Sequence, residues 1–117
     1  MGKINLKAEI KREDEDLVVE VIGIKNNNKI VYKENDITVT LTLLNNKIEM
    51  NRTCNEYKIN LIFDNKKKSI STYNVFGAPK IFELETFTKK LIIKEDKIEI
   101  DYELEGNNFS YSLKIGG

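Results

Sequence analysis

Two charged side chains, Glu34 and Arg52, fall on the apolar side of alternating sequence runs. Glu34 follows Ile30 and Tyr32 at every second position, and Arg52 follows Met50 in the same way. A period of two places side chains on one face of a β-strand, so both charges are predicted to point toward a hydrophobic interior. A guanidinium in such surroundings binds a carboxylate through two parallel hydrogen bonds. Arg52 is therefore the candidate anchor for an anionic ligand.

Further polar side chains are candidates for lesser contacts with the same ligand. Thr86 lies on the face of an apolar run, and the tyrosines offer hydroxyl groups that can donate or accept hydrogen bonds. The predicted ligand-binding residues are Arg52, Glu34, Tyr32, Tyr73 and Thr86.

Two other interpretations of the inward charges stay open. Glu34 and Arg52 can lie at strand ends near a rim, where their side chains reach water and avoid the cost of an isolated buried charge. Alternatively, a β-bulge that shifts the alternation would turn them to the other face.

The composition excludes most catalytic chemistry. The chain has no histidine, which removes the commonest general base and the commonest metal ligand. Cys54 stands alone, so neither a zinc site nor a Cys-His pair can form, and no glycine-rich phosphate loop occurs. We therefore expect a protein that is not an enzyme and that has no cofactor and no bound metal.

Charge and length narrow the class of protein further. Nineteen basic and nineteen acidic residues cancel, so no net field attracts nucleic acid or an anionic membrane. A length of 117 residues suits one domain, predicted over residues 1–117. The single cysteine and the absence of a long apolar run favour a cytoplasmic location.

The elements that must position these residues are β-strands, because apolar and polar residues alternate along much of the chain. The clearest case is the C-terminal pair of runs, Ile98–Leu104 and Phe109–Ile115. We predict that they form an antiparallel hairpin, that their apolar side chains are buried, and that the turn lies at Gly106-Asn107-Asn108.

Other segments depart from simple alternation. Leu17–Ile24 is apolar on both faces except at Glu20, which predicts a strand covered on both sides or one with a bulge near Gly23. Ile81–Thr88 and Leu91–Lys94 are predicted to be two separate strands.

These patterns predict an all-β fold. No long segment shows the 3.6-residue apolar period of a helix, and the short connections between runs favour an up-and-down antiparallel sheet. Such a sheet commonly closes into a barrel, here of roughly eight to ten strands. A two-sheet sandwich is the alternative, because periodicity does not distinguish closure from stacking.

Several short elements carry, in their order and spacing, a resemblance to a known family. They are Gly23, Tyr32-Lys33-Glu34, Thr38–Thr42, Glu49-Met50-Asn51-Arg52, Tyr73, Gly77, Phe82, Leu84, Thr86, Thr88, Leu91 and Asp101-Tyr102-Glu103-Leu104. On these residues the chain resembles the YwiB-like family of small bacterial β-barrels, which are related in shape to the calycins (lipocalins and fatty-acid-binding proteins). The resemblance implies a closed or nearly closed antiparallel barrel of unknown biochemical function.

Two functional hypotheses follow. In the first, the barrel lumen binds a small apolar or amphipathic ligand, with a carboxylate held by Arg52 as in the internal arginine site of fatty-acid-binding proteins. In the second, the barrel is filled by its own side chains and docks a protein partner or another copy of itself. Cavity volume discriminates between them, because small barrels can be filled or can hold one ligand.

Overall fold

Ten β-strands form in the computed structural model, which describes residues 2–116. They are β1 (Gly2–Lys11), β2 (Asp16–Asn26), β3 (Lys29–Glu34), β4 (Ile37–Leu44), β5 (Lys47–Thr53), β6 (Tyr57–Asp64), β7 (Lys68–Val75), β8 (Phe82–Ile93), β9 (Lys97–Leu104) and β10 (Asn107–Ile115).

The strands form one closed antiparallel barrel in chain order. Each strand pairs with the next, and β1 closes the barrel by pairing with both β2 and β10. The predicted up-and-down barrel is confirmed, and the two-sheet alternative is wrong. No helix within residues 2–116 is long and apolar enough to cross a membrane.

Asparagine makes several of the tight turns possible. Asn27, Asn35 and Asn46 have φ angles of 55°, 57° and 59°. These left-handed conformations are tolerated by asparagine better than by most residues. The polar breaks between apolar runs therefore correspond to hairpin turns.

The C-terminal hairpin is confirmed, although its turn lies earlier than predicted and Leu104, Phe109 and Ile115 are only partly buried. Ile100 and Tyr102 are buried, and Ile100 pairs with a residue of β10. The positive φ angles belong to Glu105 and Gly106, whereas Asn107 already pairs with Leu104 in the ladder. Both central residues of this two-residue turn are left-handed, as in a type I′ turn, and glycine adopts this conformation at no steric cost.

The prediction of two separate strands at Ile81–Thr88 and Leu91–Lys94 is wrong, because β8 runs through both. The ladder with β9 shifts register between Thr88 and Lys90, which marks a β-bulge. The extra residue moves the inner face from Thr88 to Leu91 without ending the strand.

Side chains from distant strands meet inside the barrel and pack against one another. The rings of Phe63 on β6 and Tyr102 on β9 have centroids 4.6 Å apart. The hydroxyls of Tyr32 on β3 and Tyr111 on β10 lie 2.8 Å apart. The largest fully buried side chains are Tyr111, Phe63, Ile30, Leu41, Ile48, Ile98, Ile100 and Leu113.

β2 differs from the prediction of a covered or bulged strand. It pairs with β1 without interruption from Asp16 to Lys25. On its outer face, however, Val18 is 48% exposed and Ile22 is 68% exposed. Within this chain alone, the apolar outer face of β2 is uncovered.

The ladder between β2 and β3 is short. It contains three residue pairs, and they involve the end of β2 from Ile24 to Asn26. Gly23 lies where the two strands separate, and a Cβ built there would be 2.7 Å from the carbonyl oxygen of Val31. Gly23 has no ladder partner on this side either, but it is packed against the backbone of β3. The preceding segment, Asp16–Ile22, has β1 on one side and no ladder on the other among the described residues. We call this segment the free edge.

The ladder between β6 and β7 is also short, with four residue pairs, but hydrogen bonds beside its gap link the β6–β7 turn to β8 and β6 to the Ser71 side chain of β7. Lys66 N donates to Thr88 O at 2.7 Å, and Thr88 N donates to Lys67 O at 3.1 Å. Ile62 N donates to the hydroxyl of Ser71 at 3.0 Å. The free edge of β2 has no comparable backbone bonds in residues 2–116.

The close approach at Gly23 predicts a sharp cost for a side chain there. Gly23→Ala should lower the free energy of unfolding by about 1–3 kcal/mol, because backbone of β3 must move to admit the methyl group. Gly2→Ala is the matched control, since a Cβ at Gly2 would have no atom within 4 Å. Urea melts in which the two variants lose equal stability would contradict this account of the β2–β3 junction.

Candidate functional site

Glu34 and Arg52 form an ion pair inside the barrel. Glu34 is the last residue of β3, and Arg52 lies near the end of β5. The Nη2 of Arg52 donates to the Oε2 of Glu34. The Glu34 side chain is 5% exposed and that of Arg52 is 14% exposed. The structure thus places both charges on the inner face and joins them to each other.

This pairing changes what Arg52 can do. Its charge is already compensated by Glu34, so a ligand carboxylate would have to displace that side chain. A buried pair lacking one partner leaves an uncompensated charge, which is strongly unfavourable. The second oxygen of Glu34, Oε1, is buried and has no hydrogen-bond partner. This oxygen therefore lacks a hydrogen-bond donor.

Two tyrosines complete the polar cluster. Burial raises the pKa of Tyr32, and it raises the pKa of Tyr111 well above its usual value. Both phenols therefore keep their protons at neutral pH, and the hydrogen bond between their hydroxyls links β3 to β10 across the interior. Protonated, mutually bonded phenols act as structural groups and are poor general bases.

The other two predicted ligand-binding residues lie outside this cluster. Tyr73 is opposite Ile59, which is opposite Arg52, so Tyr73 stands two strands away on the same face. Thr86 is fully buried, and its hydroxyl lies 2.7 Å from that of Ser71. The structure brings together Arg52, Glu34 and Tyr32 and leaves Tyr73 and Thr86 apart.

Sequence reasoning missed Tyr111 and Ser71 as polar groups of the interior. Tyr111 alternates with Leu113 on an apolar face, and Ser71 shares a face with Tyr73. Alternation indicates their orientation. It cannot indicate the partner, because the partner comes from another strand.

Several open surface pockets of residues 2–116 lie away from the polar cluster. One of about 480 Å³ is lined by residues 44–46 and 91–94. Another of about 440 Å³ is lined by residues 5–7, 20–22 and 116. Neither these two nor three others include any predicted ligand-binding residue. The described residues also contain no group of three His, Cys, Asp or Glu side chains that could hold a metal ion.

The buried ion pair predicts unequal roles for the two arginines. Arg52→Met should lower the free energy of unfolding by about 3–5 kcal/mol, because Glu34 is left charged and buried. Arg12→Met is the control, since the Arg12 side chain is 61% exposed and 4.0 Å from Glu15. Its cost should stay within about 1 kcal/mol. Chemical denaturation that gives equal losses would contradict a structural role for the pair.

Tyrosine burial predicts a loss of stability at high pH. Burial raises the pKa of Tyr102 from 10.0 to about 12. The unfolded chain therefore releases this proton first, and stability falls as the pH rises from about 10 to about 12, by on the order of 3 kcal/mol for this group. Tyr102→Phe should flatten that decline. Denaturant melts at intervals across this range test it, and identical slopes for both proteins would contradict it.

Comparison with known proteins supports the fold and the family. The family model described as a domain of unknown function (DUF1934) matches residues 4–115. The crystal structure of the ywiB protein from Bacillus subtilis is similar, with a TM-score of 0.67 and 21% sequence identity over 98% of this chain and 89% of that chain. A search of curated proteins found no match. Because the family model spans nearly the whole barrel, the chain belongs to the DUF1934 family, the YwiB-like proteins.

Proposed function

We propose that this barrel is a non-enzymatic protein-interaction module that binds its partner through β2. The observation that carries the proposal is the free edge, Asp16–Ile22, which has a neighbouring strand on one side only within the described residues. The interior serves as a rigid scaffold that holds this edge in place.

The packing of the interior supports an external site. Aromatic and aliphatic side chains from opposite strands are in contact, and the inner polar groups largely bond one another. The Glu34–Arg52 pair occupies the place where an anionic ligand would bind. A lumen ligand would therefore need to displace protein side chains before it could enter.

The chemistry of the free edge supports a protein partner. An unpaired strand presents backbone N–H and C=O groups that a second strand can bond, a common mode of peptide recognition. Natural proteins usually protect such edges with charges or proline. Here the exposed outer side chains include the apolar Val18 and Ile22. The charge between them, Glu20, lies 3.9 Å from the Nζ of Lys7 on β1 and is therefore paired within the chain.

A small amphipathic ligand bound inside the barrel is a second candidate. The unpartnered Oε1 of Glu34 favours it, because a ligand that donates a hydrogen bond would satisfy this atom. With Arg52 as anchor, a fluorescent fatty-acid analogue would bind Arg52→Ala at least ~10-fold more weakly, equivalent to about 1.4 kcal/mol. We expect that the native protein does not bind this analogue saturably. That result would favour the interaction module over the ligand-binding barrel.

The proposal includes a cytoplasmic location, which the single free cysteine favours. Partner binding needs neither a cofactor nor a metal ion.

Photo-crosslinking in cells tests the proposed function. A photoreactive phenylalanine analogue replacing Val18 should give adducts of discrete mass, because this side chain belongs to the free edge and is exposed on its outer face. The control is the same replacement at Glu49, on β5, which pairs with both β4 and β6 along its length. Adducts of the same masses and yields at both positions, or none at position 18, would contradict an interaction site at β2.

A further inference from the structure

We infer that the free edge pairs with the free edge of a second copy, so that two β2 strands join antiparallel about a twofold axis. This inference rests on the proposed function and names the partner of that site. It follows from the symmetry of strand pairing and from the order of side chains in Asp16–Ile22.

Symmetry restricts the register of such a pair. Two identical antiparallel strands are related by a twofold axis perpendicular to their sheet, and directly opposed residues lie on the same face. One residue must therefore sit on the axis opposite its own copy. Val19 is the middle of Asp16–Ile22, so an axis through Val19 pairs every residue of the free edge. An axis at any other residue leaves part of the edge unpaired.

The inner face suits this register. With Val19 on the axis, Leu17 lies opposite the partner's Val21, and Val19 lies opposite its own copy. Leu17 is 44% exposed although it is on the inner side, and Val19 and Val21 are partly exposed. These side chains are incompletely covered because no strand adjoins them. A second β2 would continue the hydrophobic interior across the joint.

The outer face suits it as well, because no like charges are opposed. Glu20 lies opposite the partner's Val18, and Asp16 lies opposite the partner's Ile22. An axis shifted by one residue to Glu20 would instead place two carboxylates face to face, which is destabilising. The register that uses the whole edge is therefore also the one that avoids this repulsion.

The inference accounts for the apolar character of both faces of β2. Within one chain the outer side chains Val18 and Ile22 lie in solvent. In the joined sheet, the diagonal neighbours of Val18 across the joint are its own copy and the partner's Ile22, within reach of long apolar side chains. A strand with apolar residues on both faces is typical of one that is covered on both faces after assembly.

Opposite charges at Ile22 test the register by sedimentation equilibrium. Ile22→Glu would face the partner's Asp16 and should weaken dimerisation at least ~10-fold, whereas Ile22→Lys should bind at least as tightly as the native chain. Within one chain, the two substitutions should affect stability in the opposite order. Ile22 is opposite Asn5 on β1 and diagonal to Lys3 and Lys7, which favour the glutamate. Equal dimerisation by both variants, or a native chain that stays monomeric at about 1 mM, would overturn the inference.

Disulfide scanning tests the axis directly. In a Cys54→Ser background, Val19→Cys should form an intermolecular disulfide rapidly, because opposed residues have Cα atoms about 4.5–5.5 Å apart. Val18→Cys and Glu20→Cys are the matched controls, since each faces a different residue of the partner. A disulfide that forms fastest at position 18 or 20 would overturn the proposed register.

The mass of the crosslinked adduct separates this inference from the proposed function. Adducts at position 18 of twice the chain mass support both. Adducts of another discrete mass keep the interaction module and overturn the second copy as partner. The absence of adducts overturns both.

Discussion

The junction of β2 and β3 is the constraint on which the rest of the molecule depends. The two strands share three residue pairs, and Gly23 allows β2 to approach the Val31 carbonyl before the strands diverge. This contact is one of the ladders that the closed ring of strands requires. The same divergence leaves Asp16–Ile22 with β1 as its one neighbouring strand in residues 2–116. Closure and the free edge therefore have a single structural origin.

The interior explains why the function is proposed for the outside of the barrel. Tyr32 and Tyr111 bond across it, and Arg52 bonds Glu34. Inner side chains that bond each other fix the relative positions of the strands that carry them and make the barrel rigid. A buried ion pair nevertheless adds little net stability. Three buried side-chain oxygens of the described residues have no hydrogen-bond partner: Glu34 Oε1, Asn65 Oδ1 and Thr88 Oγ1. The one at Glu34 lies at the ion pair and calls for a donor from elsewhere.

Alternation in the sequence was sufficient to predict most of the strands and the inward direction of Glu34 and Arg52, whereas closure into a barrel was favoured by the short connections and left a sandwich as the alternative. It failed at Lys89, because one extra residue exchanges the faces of β8 without ending the strand. It could not show that Arg52 is neutralised by Glu34, since the two come from different strands. Nor could it show the free edge, because periodicity reports the direction of side chains and not the length of each ladder. The apolar residues on both faces of β2 were the one feature of the sequence that indicated the free edge.

Amide hydrogen exchange along β2, measured over a range of protein concentrations, tests the central claim most directly. In dilute protein, amides of Asp16–Ile22 that face away from β1 should exchange rapidly, while those bonded to β1 stay protected. As concentration rises, the first group should become protected and the second should not change. Equal protection of both groups at the lowest concentration would contradict a free edge. Rapid exchange of the first group at every concentration would contradict its pairing with a second copy.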